Sequence, residues 1–175
     1  MDNKIIFLDR DGVINQEVNY LHRIEDFKFI NGIFDSLRAL QELNYHFIII
    51  TNQSGIGRGF YSEKDYLLLD KWIKKEFEIK GIKILYSIHC PHTPEQKCDC
   101  RKPKPGMFIN CFKLFQISKD DSWMVGDSET DIQAAINAGI KNTILVRSGH
   151  PINETSTKAT FVIDSLMNLP EVINS

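Results

Sequence analysis

Several kinds of protein are excluded by what is scarce in this sequence. No apolar run approaches the roughly 18 residues that a membrane-crossing helix needs, so no span and no membrane partner is expected. Positive charge is not in excess: 21 Lys and Arg face 23 Asp and Glu, a formal net charge of -2, and no basic tail is present. That balance argues against a nucleic-acid partner. There is no internal repeat and no low-complexity segment, which removes solenoids and disordered linkers. The start of the chain places Asp2, Lys4 and Asp9 around a short apolar stretch that reads as neither a signal peptide nor a span, and cytoplasmic residence is the expectation. In that compartment the glycosylation-like triplets at Asn52 and Asn153 are accidental. Cysteine is also sparse, four in 175 residues, yet three of the four fall between positions 90 and 100. The remaining composition, 42% hydrophobic and 25% charged, suits one domain over residues 1–175 with a substantial core.

Along the chain, apolar runs of strand length alternate with amphipathic segments of helix length, the pattern of a parallel α/β sheet. Strands are expected at 5–8, 47–50, 82–88, 123–125 and 143–146, with a weak sixth at 161–163. Ile33, Phe34, Leu37, Leu40 and Leu43 recur at helical spacing. Ser62 and Asp65 form a capping-box pattern ahead of Tyr66, Leu69, Ile73 and Phe77, and Gly81 ends that helix. A third helix runs from Pro105 with Phe108, Cys111, Phe112 and Phe115 inward. A fourth carries Ala134, Ala135 and Ala138, small enough for close packing, and stops at Gly139. Residues 148–159 show no period and read as a surface loop. The fold expected is a single doubly wound, Rossmann-like parallel sheet. No connection is long enough for a separate cap domain, so loops must cover the ligand: residues 17–20, the glycine-rich 54–59 and the cysteine loop.

The polar residues with chemical potential follow the strands. Asp9 and Asp11 come directly after the first, Thr51-Asn52-Gln53-Ser54 after the second, Arg101 and Lys102 beyond the third, and Gly126-Asp127 after the fourth. In a parallel sheet these exits share one edge. Two carboxylates one residue apart repel each other and call for Mg²⁺ or a cationic side chain. Acids for a metal, a hydroxyl and amides for phosphate oxygens, and a lysine for the remaining charge together make a phosphoryl-transfer site. Each residue alone has an ordinary reading: Thr51 as a strand-end turn, Lys102 as a solvated charge, Asp127 as a helix cap.

Cys90-Pro91-His92, five residues and then Cys98-Asp99-Cys100 place three thiols and an imidazole on one short loop, a Cys₃His set for tetrahedral Zn²⁺. The alternatives are disulfides or free thiols. Such a zinc would be structural, since it leaves no open coordination position. Cys111 stands apart on an apolar helix face; His89 reads as a strand-end residue, and His22, His46 and His150 have no evident partner.

With these residues in place, the chain resembles the haloacid dehalogenase-like phosphatases. Asp9-Arg10-Asp11-Gly12 looks like their first motif, Thr51 their second, Lys102 their third, and Gly126-Asp127 with Asp131 their fourth. The zinc loop narrows the resemblance to the histidinol-phosphate and heptose-bisphosphate phosphatase branch. The heptose side fits better at residues 7–15, at Thr51-Asn52-Gln53-Ser54-Gly55-Ile56-Gly57-Arg58-Gly59 and at residues 100–107. The resemblance implies that Asp9 is the nucleophile and Asp11 the general acid and base, with Thr51 and Lys102 binding the phosphoryl group. Mg²⁺ would be held by Asp9, the Asp11 carbonyl and Asp127. It also implies a small sugar bisphosphate as substrate, D-glycero-D-manno-heptose 1,7-bisphosphate losing its C7 phosphate. Asn52, Gln53, Ser54, Arg58 and Arg101 are expected as substrate contacts, and a monomer is expected. The chain departs from the pattern in a shorter spacing between His92 and Cys98 and in Ser128, where a lysine is common. Two readings of other classes remain, a phospho-accepting regulatory domain and a zinc-organised interaction module.

Overall fold

The computed structural model describes residues 2–173. Its centre is a six-stranded, wholly parallel sheet in the order β3-β2-β1-β4-β5-β6. The strands are β1 (Lys4–Leu8), β2 (Tyr45–Asn52), β3 (Ile84–Cys90), β4 (Trp123–Gly126), β5 (Asn142–Val146) and β6 (Phe161–Ile163). Side chains alternate across a strand, so β1 serves two cores at once. Ile6 and Leu8 face one, with Leu37 and Leu40 of α1 (Ile33–Glu42), Leu69, Ile73 and Phe77 of α3 (Glu63–Ile79) and Leu169 of α6 (Leu169–Ile173). Ile5 and Phe7 face the other, with Met107, Phe108 and Cys111 of α4 (Gly106–Leu114) and Ala134, Ala135 and Ala138 of α5 (Glu129–Ala138). The Phe7 ring lies 4.8 Å from that of Phe108. Removing a ring buried on both sides costs about 3–5 kcal/mol, which is why the run at 5–8 must be continuous and apolar.

From β1 the chain steps outward through β2 to β3, then returns to β4 on the other side of β1 and steps outward to β6. The order therefore reverses between β1 and β4, where an open α/β sheet presents its crevice. The expected helix signals hold. Asp65 N–H donates to Ser62 Oγ (3.2 Å) and Ser62 N–H to Asp65 Oδ2 (2.8 Å), and Gly81 and Gly139 follow their helices at positive φ. Several boundaries differ from expectation. β2, expected at 47–50, runs Tyr45–Asn52, so Thr51 and Asn52 are its last paired residues and do not follow it. β3 begins two residues later than the alternation suggested: Ile82 is buried against the core but precedes the paired residues, and Cys90 closes the strand. Pro105 caps α4 instead of entering its first turn, and Phe115 lies just past its end. The glycine-rich stretch contains a short helical turn, α2 (Ser54–Gly57).

Candidate active site

Beyond β1 the chain turns sharply, with the Arg10 carbonyl accepting from the N–H groups of Val13, Ile14 and Asn15 (3.3, 2.8 and 3.2 Å). Gly12 makes this turn possible at φ +78°, and a Cβ on it or on Gly149 would overlap the Asp127 carboxylate. The turn holds Asp9 and Asp11 over the crevice. There they line a cavity of about 280 Å³ together with Thr51, Asn52, Gln53, Ser54, Arg101, Lys102 and Asp127. The structure thus brings together every strand-exit residue singled out in the sequence. Arg58 is the exception: it is exposed at the end of α2 and does not line the cavity, because that turn carries it past the rim.

Charge in the cavity is concentrated and almost dry. The Lys102 ammonium donates to Asp131 Oδ1 (2.7 Å), Asp9 Oδ1 (2.9 Å) and the Ile50 carbonyl (2.9 Å). Burial alone would push this ammonium down, but Asp131 and Asp9 more than reverse it and hold it above its usual range. Asp131 is fixed in turn by the Ser128 N–H (3.1 Å). For Asp9, burial dominates and lifts the carboxyl well above the usual range; Lys102 pulls it back, while Asp131, Asp127 and Asp11 add to the rise. Asp127 is raised for the same reason, by burial and by Asp131. One buried lysine among the buried acids Asp9, Asp127 and Asp131, whose oxygens lie within 4.8 Å of one another, leaves negative charge that a divalent cation fits.

Some residues work through the backbone. Asn52 donates to the Lys102 carbonyl (3.1 Å) and accepts from its N–H (3.1 Å), pinning the lysine's chain segment to the end of β2. The Gln53 amide is engaged with Thr51, Asp11 and Tyr61. Arg101 lines the cavity and donates from Nη1 to the His92 carbonyl (3.3 Å), joining the site to the cysteine loop. In that loop the Sγ atoms of Cys90, Cys98 and Cys100 lie 3.2–3.5 Å apart, and His92 Nδ1 is 3.6 Å from Cys90 and 3.3 Å from Cys100. A tetrahedron with Zn–S near 2.3 Å has edges of about 3.7 Å, so the four ligand atoms are clustered as zinc requires. All three thiols are free of disulfides, as is the buried Cys111.

Arg10, Tyr61 and His150 had no role assigned from the sequence, while Glu17 belongs to the 17–20 loop expected over the ligand. Arg10 is buried and grips Asp11 through Nη2 at 2.8 Å, and Glu17 and Tyr61 line the cavity. His150, on the aperiodic loop, meets Asp127 Oδ2 through its backbone N–H (3.0 Å) and Nδ1 (2.6 Å). That hydrogen bond holds the imidazole above its usual range, although burial opposes it.

A parallel sheet with two carboxylates, a hydroxyl and a buried lysine at its switch point is the arrangement of a phosphoryl-transfer hydrolase. The profile of the HAD-hydrolase-like family matches residues 99–169. A D-glycero-alpha-D-manno-heptose-1,7-bisphosphate 7-phosphatase of Photorhabdus laumondii is 47% identical over 89% of both chains. A D-glycero-beta-D-manno-heptose-1,7-bisphosphate 7-phosphatase of Haemophilus influenzae is 42% identical over 98% of this chain and 97% of its own. A solved D,D-heptose 1,7-bisphosphate phosphatase from B. bronchiseptica, complexed with magnesium and phosphate, superposes with a TM-score of 0.85 at 28% identity, covering 98% of each chain. The chain belongs to the haloacid dehalogenase-like hydrolases, in the heptose-1,7-bisphosphate 7-phosphatase branch.

Proposed function

We propose that the protein hydrolyses the C7 phosphate of D-glycero-D-manno-heptose 1,7-bisphosphate to leave the heptose 1-phosphate, a step toward nucleotide-activated heptose for surface polysaccharide. The observation that carries this reading is the convergence of Asp9, Asp11, Thr51, Lys102 and Asp127 on one cavity at the β1/β4 switch point. Relatives of matching length named for that activity support the choice of substrate.

A carboxylate oxygen of Asp9 attacks phosphorus, and the bond from phosphorus to the C7 oxygen breaks as Asp11 delivers its proton to that oxygen. Asp11, now a carboxylate, takes a proton from water; the resulting hydroxide attacks the aspartyl-phosphate, phosphate leaves and Asp9 is restored. Thr51 and Lys102 donate to the transferring oxygens, where charge peaks. Mg²⁺ held by Asp9, the Asp11 carbonyl and Asp127 would neutralise phosphoryl charge and favour the ionised Asp9. Ser54 and Arg101, both on the cavity wall, are assigned to the sugar and its second phosphate, and Arg58 receives no substrate contact. Zn²⁺ on Cys90, His92, Cys98 and Cys100 is assigned a structural role, supported by the clustering of the four ligand atoms. We assign the chain to one domain and the cytoplasm, where its thiols stay reduced, as a monomer.

The test is a comparison of kcat/KM for both anomers of the heptose bisphosphate with that for histidinol phosphate, in Mg²⁺. A preference of at least about tenfold for a heptose bisphosphate, roughly 1.4 kcal/mol, supports the assignment. Preference for histidinol phosphate moves it to the sister activity, and a single phosphorylation without turnover moves it to a phospho-accepting domain.

A further inference from the structure

Asp11 is held from two directions. From its own turn, Oδ1 accepts from Arg10 Nε (3.1 Å), Arg10 Nη2 (2.9 Å) and Asn15 Nδ2 (3.0 Å), and Oδ2 from Arg10 Nη2 (2.8 Å). From the far side of the cavity comes a single donor, Gln53 Nε2, at 3.0 Å from Oδ2. The same nitrogen lies 2.8 Å from Thr51 Oγ1, so its two hydrogens reach the general acid and the phosphoryl-binding hydroxyl together. Thr51, having accepted from Gln53, keeps its own proton for a phosphoryl oxygen.

An amide can do this only if it does not flip. The Tyr61 hydroxyl donates to Gln53 Oε1 at 2.6 Å; rotated by half a turn, the amide would set its oxygen against the Asp11 carboxylate. Gln53 and Tyr61 are 3% and 7% exposed, so water does not compete for these bonds. Tyr61 is itself fixed. Its ring stacks on His22 (4.9 Å, 9°), and a Cβ on Gly55 would overlap it, so only glycine leaves room there.

We propose that Gln53 and Tyr61 are positioning residues for the reaction: Tyr61 fixes the Gln53 amide, which aims the Asp11 carboxyl and the Thr51 hydroxyl at the phosphoryl group. The pair also ties the acid to the loops over the cavity. Tyr61 belongs to the loop after α2, and its stacking partner His22 to the loop after the β1 turn. The two loops meet again at Tyr20 and Phe60 (4.6 Å), and Arg10 Nη2 reaches the Leu21 carbonyl (2.9 Å). Burial pushes the Tyr61 phenol up to about 12, so it remains a donor wherever the enzyme works. This inference rests on Asp11 acting as the acid, and its test separates the two.

An acid matters most when the leaving oxygen is basic. Pre-steady-state phenol release from a series of substituted aryl phosphates gives the leaving-group sensitivity of aspartyl-phosphate formation. Steady-state constants on the heptose bisphosphate give the cost with an alkoxide leaving group. Tyr61→Phe and Gln53→Met should steepen the leaving-group dependence in the same direction as Asp11→Asn. On the sugar phosphate kcat should fall about 5- to 30-fold with KM within about twofold, the size expected for a lost buried hydrogen bond. The loss on nitrophenyl phosphate should be the smallest. Tyr61→Phe keeps the ring and its stack, and Gln53→Met is close in volume, so thermal melts near the parent's are expected and either variant can carry the test. A parent-like dependence in both, or equal losses on every substrate, overturns the proposal while leaving Asp11 in its role. A parent-like dependence in Asp11→Asn removes Asp11 as the acid, and the proposal with it.

Discussion

At the residue scale the chemistry turns on how Asp9 carries charge in a position where burial opposes it. Lys102 supplies part of the answer at 2.9 Å, and Mg²⁺ held as proposed by Asp9, the Asp11 carbonyl and Asp127 would supply the rest. On the proposed mechanism, Asp9→Asn keeps the size of the side chain and removes the nucleophile. Turnover should fall by on the order of 10³ or more with the fold intact; a variant retaining a tenth of parental kcat would remove Asp9 from that role. Arg101 lines the cavity beside Lys102, and the bond from its Nη1 to the His92 carbonyl leaves further guanidinium N–H groups to meet a second anionic group. Arg101→Ala should lower kcat/KM for the bisphosphate by about 10- to 150-fold while a simple monophosphate ester changes little. Equal losses on both would make Arg101 a support of the loop. Asp9, Thr51, Lys102 and Asp127 were legible in the sequence because each lies at the end of a strand or beside a recognisable motif. Arg10, Tyr61 and His150 were not, since each acquires its role from a partner brought up by folding. Asp127 is 23 positions from His150, and nothing local to the loop marks the pairing.

The elements divide into those that build the crevice and those that close it. β1 and β4 present their carboxylates at the reversal of strand order, and the strands were readable because strands buried on both faces are apolar throughout. The start of β3 was misplaced because it is an edge strand. Its six leading residues are only half-buried, so alternation does not separate paired residues from the turn that feeds them. The loop from Cys90 to Cys100 touches the core through its cysteines and holds the Arg101 guanidinium through the His92 carbonyl. Zinc binding there should be one-to-one, and Cys98→Ser should weaken metal retention, lower the melting temperature and raise KM more than it lowers kcat. Metal analysis of protein purified without chelator, followed by a melt with and without zinc, checks this. Zinc-free protein whose Cys98→Ser variant melts like the parent would contradict it.

For the whole molecule, the buried acids should make stability depend jointly on pH and Mg²⁺. Asp9 and Asp127 are raised above their ordinary values when no cation is present, so the folded state favours their protonated forms. Their contribution is full below the ordinary carboxylate range and declines as pH climbs through the raised values. Mg²⁺ takes the place of those protons, so it should raise the melting temperature by several degrees near pH 7.5 and by clearly less near pH 5. Equal shifts at both pH values would mean that the cation binds elsewhere. At this scale the sequence was most informative: alternating apolar and amphipathic segments sufficed for a parallel sheet, and connection lengths left no room for a cap.

The most direct test of the central claim is ³¹P NMR of D-glycero-D-manno-heptose 1,7-bisphosphate incubated with the protein and Mg²⁺. The C7 phosphomonoester resonance should disappear as inorganic phosphate grows in equal amount, while the anomeric phosphate at C1 persists. Release of the C1 phosphate, or an unchanged spectrum with folded, Mg²⁺-supplied protein, would contradict it.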